Sequence, residues 1–86
     1  MQALVIDTFG AELRLTRVAR PVPGPNEALV KVGACGVGLT VANLLATPGR
    51  VDRYPRIPGH EIAGEVVAVG SQVRTVKVGT RVTNHF

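Results

Sequence analysis

The chain has one cysteine, no tryptophan, and three aromatic residues in all, Phe9, Tyr54 and Phe86. A single thiol at Cys35 cannot close an internal disulfide, so no disulfide framework braces a small core. So few rings leave no stacking platform of the kind that single-strand nucleic-acid binders lay along a basic groove. No apolar run reaches the length of a membrane span. The start, MQALVIDTFG, lacks the basic region, long apolar stretch and small-residue cleavage site of a secretion signal. No membrane partner is expected, and a cytoplasmic protein is. Internal repeats and low-complexity tracts are also missing.

What is present is 86 residues, 45% hydrophobic and 19% charged, too apolar for a disordered chain and enough for one small domain at most. The formal charge is +4 and the pI about 10.2, a balance that raises nucleic acid as a partner. The basic residues are scattered from Arg14 to Arg81, however, and solvated surface charge is the better account. The loosest grouping, Arg50, Arg53 and Arg56, falls in a loop where it is a candidate to face an anion. No nucleic-acid partner is expected.

QALVID and LRLTRV, short and rich in Val, Ile and Leu, flank TFGAE and predict a hairpin with its turn at Gly10. ARPVPGPNE is a loop, because each proline fixes φ and lacks a backbone donor. ALVKVGAC sets Leu29 and Lys31 against Val30 and Val32, the period of a strand with one wetter face. TVANLLAT spaces Val41, Leu44 and Leu45 as a helix does, with Thr40 as its cap and Pro48-Gly49 as its stop. PGRVDRYPRIPG is a long irregular loop. EIAGEVVAVG reads as a strand in which Gly64 marks a bulge or a close backbone approach, and TRVTNHF as the last strand. Six short strands with one short helix predict a mainly β, small-barrel fold.

Two groups invite a functional reading. Gly33, Gly36 and Gly38 lie between strand and helix, but their spacing is G-x-x-G-x-G and not the dinucleotide G-x-G-x-x-G. Val41 falls where a third small residue should pack, and the acidic residue expected farther on would be Asp52, in a loop. No cofactor-binding residues are read here. His60 and Glu61, directly after Pro58-Gly59, are more informative, since imidazole held on a rigid turn suits zinc and a carboxylate beside it can tune or share the metal. Zinc takes at least three protein ligands, and besides this pair the chain offers Cys35, His85 and scattered carboxylates. On the motif alone a satisfied surface histidine is the stronger reading for His60, and the outright one for His85. Cys35 reads as a small buried hydrophobe on its strand.

YPRIPGHEIAGEVVAVGSQVRTVKVGTRV, preceded by PVPGPNEALVKVGACGVGLT, resembles the amino-terminal catalytic domain of the zinc-dependent alcohol dehydrogenases of the medium-chain dehydrogenase/reductase superfamily. The likeness runs over essentially the whole chain, with P-G-P-x-E, C-G-V, P-G-H-E, G-x-V-x-x-V-G and V-G-x-R-V in order. The resemblance implies a GroES-like, partly open β-barrel that is incomplete at its C-terminus. It also implies a Rossmann domain, absent from these residues, that binds NAD or NADP. The implied reaction is hydride transfer between a small alcohol and an aldehyde or ketone, with zinc as a Lewis acid. By the same resemblance His60 is a zinc ligand, Glu61 its neighbour at the metal, and Thr40 the hydroxyl that relays the alcohol proton. A homo-oligomeric parent is implied as well.

The sequence also departs from that pattern. Gly38 stands where the family's first cysteine ligand would, and a glycine has no thiolate to give. Val41 stands where an aspartate would support the metal. Cys35 matches a position that is not a ligand. These departures favour a zinc-independent relative similar to quinone oxidoreductases, whereas His60-Glu61 favours the zinc branch. The chain is expected to be an incomplete piece of such an oxidoreductase, or a decayed relative, inactive alone. From another class, GEVVAVG and VKVGTRV resemble the GroES co-chaperonin or a similar binding module, against which stands P-G-H-E, without counterpart there.

Overall fold

Val, Ile, Leu and Thr dominate the segments that become strands, as expected of side chains that fit the extended pleat. A computed structural model describes residues 1–84, with Thr40 and Leu44 described at the backbone only. In order it contains β1 (Gln2–Val5), β2 (Arg14–Arg17), β3 (Ala28–Gly36), α1 (Leu39–Ala46), β4 (Glu61–Val69) and β5 (Arg81–Thr83). The fold is mainly β with one short helix, as expected, but with five strands among the described residues where six were expected. The stretch between β4 and β5 forms turns, closed by Val73 N–H to the Gly70 carbonyl at 3.2 Å and Thr80 N–H to the Lys77 carbonyl at 3.0 Å. No helix among the described residues is long and apolar enough to cross a membrane. The chain divides into two compact units.

Met1–Ala19 and Val37–Gly59 form the first unit. The predicted hairpin is there, β1 antiparallel to β2 from Gln2↔Arg17 to Val5↔Arg14. Ile6 and Arg56 exchange two backbone hydrogen bonds of 2.9 Å, which ties the long loop to the end of the hairpin. Among the described residues, Val5, Ile6, Val41 and Val51 are the buried side chains of this unit. Helix α1 begins earlier than the sequence suggested. Its cap is Gly38, in extended geometry, whose carbonyl accepts from Ala42 N–H at 3.3 Å, so Thr40 already lies inside the first turn. The helix stops before Pro48 as expected, because the residue preceding a proline is pushed out of helical geometry, and Thr47 is extended.

Arg20–Gly36 and the chain from His60 on form the second unit, a three-stranded antiparallel sheet in the order β3-β4-β5. Its centre is Val66, 1% exposed. At the far end of β4 the P-G-P-N-E loop is fastened in place. Gly24 N–H donates to the Glu27 carboxylate at 2.8 Å, Gly70 N–H to the Glu27 carbonyl at 2.8 Å, and Gln72 N–H to the Pro25 carbonyl at 2.8 Å. The alternation expected of β3 is not seen, because the neighbours Leu29 and Val30 are both half-buried. Beyond Val30 every residue of the strand is exposed. The register shifts between Val32 and Ala34, so Gly33 is an extra residue, and a bulge of this kind breaks the alternation of faces. Gly64, across from it, makes the close approach that its position in a strand suggested. A Cβ there would sit 2.2 Å from the Lys31 carbonyl oxygen and 2.8 Å from Val30 Cγ1.

Gly64→Ala is therefore expected to cost about 3 kcal/mol, the upper end of overpacking penalties, because the obstacle is backbone. Thermal unfolding followed by circular dichroism checks this, with Gly33→Ala, whose Cβ would make only an ordinary 3.5 Å contact, as the tolerated control. In the hairpin, Arg14 donates to both oxygens of Asp7, at 3.0 and 3.1 Å. Those hydrogen bonds, with the guanidinium charge, hold the Asp7 carboxyl below the ordinary aspartate range. The pair's stabilisation is thus present above the ordinary value and is lost as pH falls through the lowered one. Carboxyl-carbon NMR titration is expected to show Asp7 moving up to the ordinary range in Arg14→Gln.

Candidate functional site

The P-G-H-E motif lies at the mouth of β4. The chain arrives through Pro58 and Gly59, the latter at φ 111°, a left-handed conformation open to glycine and strained for other residues. His60 follows, half-buried, and Glu61 opens the strand, exposed. Glu61 pairs in register with Gly36, the last residue of β3. Its side chain uses the space that a Gly36 side chain would fill, since a Cβ there would lie 3.0 Å from Glu61 Oε2 and 3.3 Å from Glu61 Cβ.

On the other edge of β4, Ile62 N–H donates to Asn84 Oδ1 at 2.8 Å, and Thr83 Oγ1 donates to the Ile62 carbonyl at 2.9 Å. The Asn84 amide nitrogen donates to the carbonyl of His60. Sequence reasoning missed Thr83 and Asn84 as part of this region. The one available signal was an asparagine directly after a strand, a residue whose side chain readily imitates backbone.

Gly38, Thr40 and Val41 belong to α1 in the first unit, and the Thr40 hydroxyl lies outside the described residues, as does His85. Cys35 is exposed, not buried as expected. It stands in the half of β3 beyond the Gly33 bulge, its sulfur 3.7 Å from the Gly36 carbonyl oxygen. In the basic loop, Arg56 is engaged by Asp52 at 3.0 Å, which takes one charge out of the grouping with Arg50 and Arg53.

The donor set does not fit a zinc ion held in the manner the resemblance implied. Among the described residues no three His, Cys, Asp or Glu side chains are grouped so as to hold a metal. Gly38 offers backbone alone as the helix cap. Val41, 6% exposed, gives its position to the apolar core, where an unpaired carboxylate would be costly. His60 and Glu61 are adjacent and well held, an arrangement suited to orienting and hydrogen-bonding a polar substrate atom.

The profile of the alcohol dehydrogenase GroES-like domain matches residues 24–86. The alcohol dehydrogenase of Geobacillus stearothermophilus is 42% identical over 85 residues, covering 95% of this chain and 24% of that protein. Among solved structures, an alcohol dehydrogenase superfamily protein from Novosphingobium aromaticivorans superposes with a TM-score of 0.87 at 35% identity, over 96% of this chain and 26% of that one. The quinone oxidoreductase of Coxiella burnetii does so with a TM-score of 0.85 at 27% identity, over 96% of this chain and 28% of that one. The chain spans about a quarter of the length of these relatives. It belongs to the family of alcohol dehydrogenase GroES-like domains, within the medium-chain dehydrogenase/reductase superfamily.

Proposed function

We propose that this chain is the amino-terminal, substrate-side part of an NAD(P)-linked oxidoreductase that moves hydride between a small alcohol and its aldehyde or ketone. The observation that carries this reading is the P-G-H-E motif at the entry of β4, with His60 and Glu61 held on both edges of the strand, in a chain of this family. In this reading His60 and Glu61 bind and orient the reacting oxygen, and Thr40 relays the proton. Nicotinamide supplies or accepts the hydride, bound by residues outside this sequence, because the glycines here have the wrong spacing for a dinucleotide. The purified 86-residue chain is expected to show no NAD(P)-linked alcohol oxidation in a spectrophotometric assay.

A second, finer reading separates zinc-dependent from zinc-independent chemistry, and Gly38 with buried Val41 favours the latter. The reacting carbonyl or quinone oxygen is then met by hydrogen-bond donors of the protein. Cobalt(II), the spectroscopic substitute for zinc, is expected to give no tetrahedral, thiolate-bearing spectrum at equimolar addition to the purified chain. A stoichiometric spectrum of that kind would return the zinc branch, with Cys35 as the sulfur ligand.

The oxidoreductase reading is tested by grafting residues 1–86 in place of the matching segment of the Geobacillus stearothermophilus enzyme. The graft is expected to oxidise alcohols or reduce carbonyl or quinone substrates with NAD(P)H, and to lose about a hundredfold in kcat/KM on His60→Ala. A graft that folds and binds NAD(P)H yet turns over none of these substrates would sink the reading.

A further inference from the structure

The three residues His60–Ile62 are held from both edges, and the two edges are built differently. Toward β3 the partner is backbone, Gly36 opposite Glu61. Toward β5 the strand ladder ends at Ala63↔Thr83, one residue short of this segment. Asn84 N–H reaches back to the Ile62 carbonyl at 3.3 Å, alongside the Thr83 hydroxyl, and from there the Asn84 side chain takes over. Its Oδ1 accepts from Ile62 N–H at 2.8 Å and its Nδ2 donates to the His60 carbonyl.

A carboxamide carries a donor and an acceptor on one plane, the equipment of a peptide unit. Other side chains of similar size lack that combination. Aspartate has acceptors alone and would present an oxygen to the His60 carbonyl, while leucine has neither group. The remainder of the sheet does not depend on Asn84, because Val30↔Val66, Gly64↔Val82 and Glu65↔Arg81 are paired by backbone. What Asn84 governs is local, the backbone on which His60 and Glu61 are mounted.

We propose that Asn84 is a positioning residue of the His60-Glu61 site, its carboxamide replacing the next backbone rung and fixing the direction in which the two side chains leave the strand. Its value for catalysis rests on the reading of His60 and Glu61 given above, whereas the clamp itself does not.

The test is NMR on the 86-residue chain, comparing wild type with Asn84→Asp, which keeps the acceptor, and Asn84→Leu, which keeps neither group. Ile62 amide exchange is expected to be slow in wild type, similar in Asn84→Asp, and at least about tenfold faster in Asn84→Leu, the scale of one lost hydrogen bond. The His60 ring signals are expected to shift and average in both variants, with the amide signals of Val66 and Gly64 unmoved. Restoring the acceptor alone thus rescues Ile62 and not His60, a split that general loosening of the fold does not give. The proposal is overturned if Ile62 in wild type exchanges as fast as the loop amides of residues 74–76. It is equally overturned if the His60 ring signals stay fixed in Asn84→Asp. Should Asn84→Leu fail to fold, wild type and Asn84→Asp decide between these outcomes. No substrate or nicotinamide is present, so an inactive graft would count against the oxidoreductase reading and leave this result standing.

Discussion

Strand β4 is hydrogen-bonded along both edges, and the second unit is organised by that constraint. Nine residues, Glu61–Val69, meet β3 on one side and the shorter β5 on the other. A central strand has its donors and acceptors committed, so its position is set by its neighbours and its own side chains are left for other uses. At one end the commitment continues into the P-G-P-N-E loop through Gly70 and Glu27. At the opposite end it continues into the His60 segment through Thr83 and Asn84. The buried Val66 sits between, the apolar anchor of a sheet otherwise stabilised by backbone pairing in a unit with little interior.

The same economy shapes the chemistry. A small domain that gives Val41 to its apolar interior has given up a place for a buried carboxylate, and one that caps its helix with Gly38 has given up a thiolate. Both choices are stabilising or neutral for the fold and both subtract from metal binding. His60 and Glu61 carry no such conflict, because the strand mouth where they stand is half-buried to exposed, and a polar side chain there keeps access to water. The family resemblance is thus carried by several motifs, of which P-G-P-N-E fastens the far end of β4 and P-G-H-E leads into its start.

Much of this was legible in the sequence, for reasons that differ from element to element. The hairpin, β3 and β4 were readable because β-branched runs bounded by Gly, Pro and Asn leave few alternatives, and Gly64 because a glycine inside such a run needs a steric reason. The start of α1 was misplaced at Thr40 because the hydroxyl preference of helix caps outweighed a glycine in the reading, while the chain turns extended to helical at Gly38. Cys35 was misjudged because it was read by residue type, as a small buried hydrophobe, whereas the half of β3 beyond the Gly33 bulge is exposed. His60 and Glu61 could be named from the motif, but their support could not. Asn84 acts across 24 residues of chain, and no local pattern announces a side chain that substitutes for backbone at that range.

That range also sets an order of events. Local hydrogen bonds of the β1–β2 hairpin can form as soon as its residues exist, whereas the backbone of His60–Ile62 is completed only by a partner 24 residues later. At ordinary rates of synthesis the ribosome takes on the order of seconds to add that stretch. During that interval the strand mouth has one edge open, and the carbonyl and amide that Asn84 will meet are served by water. The backbone that bears the histidine is therefore closed together with β5, whose residues directly precede Asn84, and later than the hairpin.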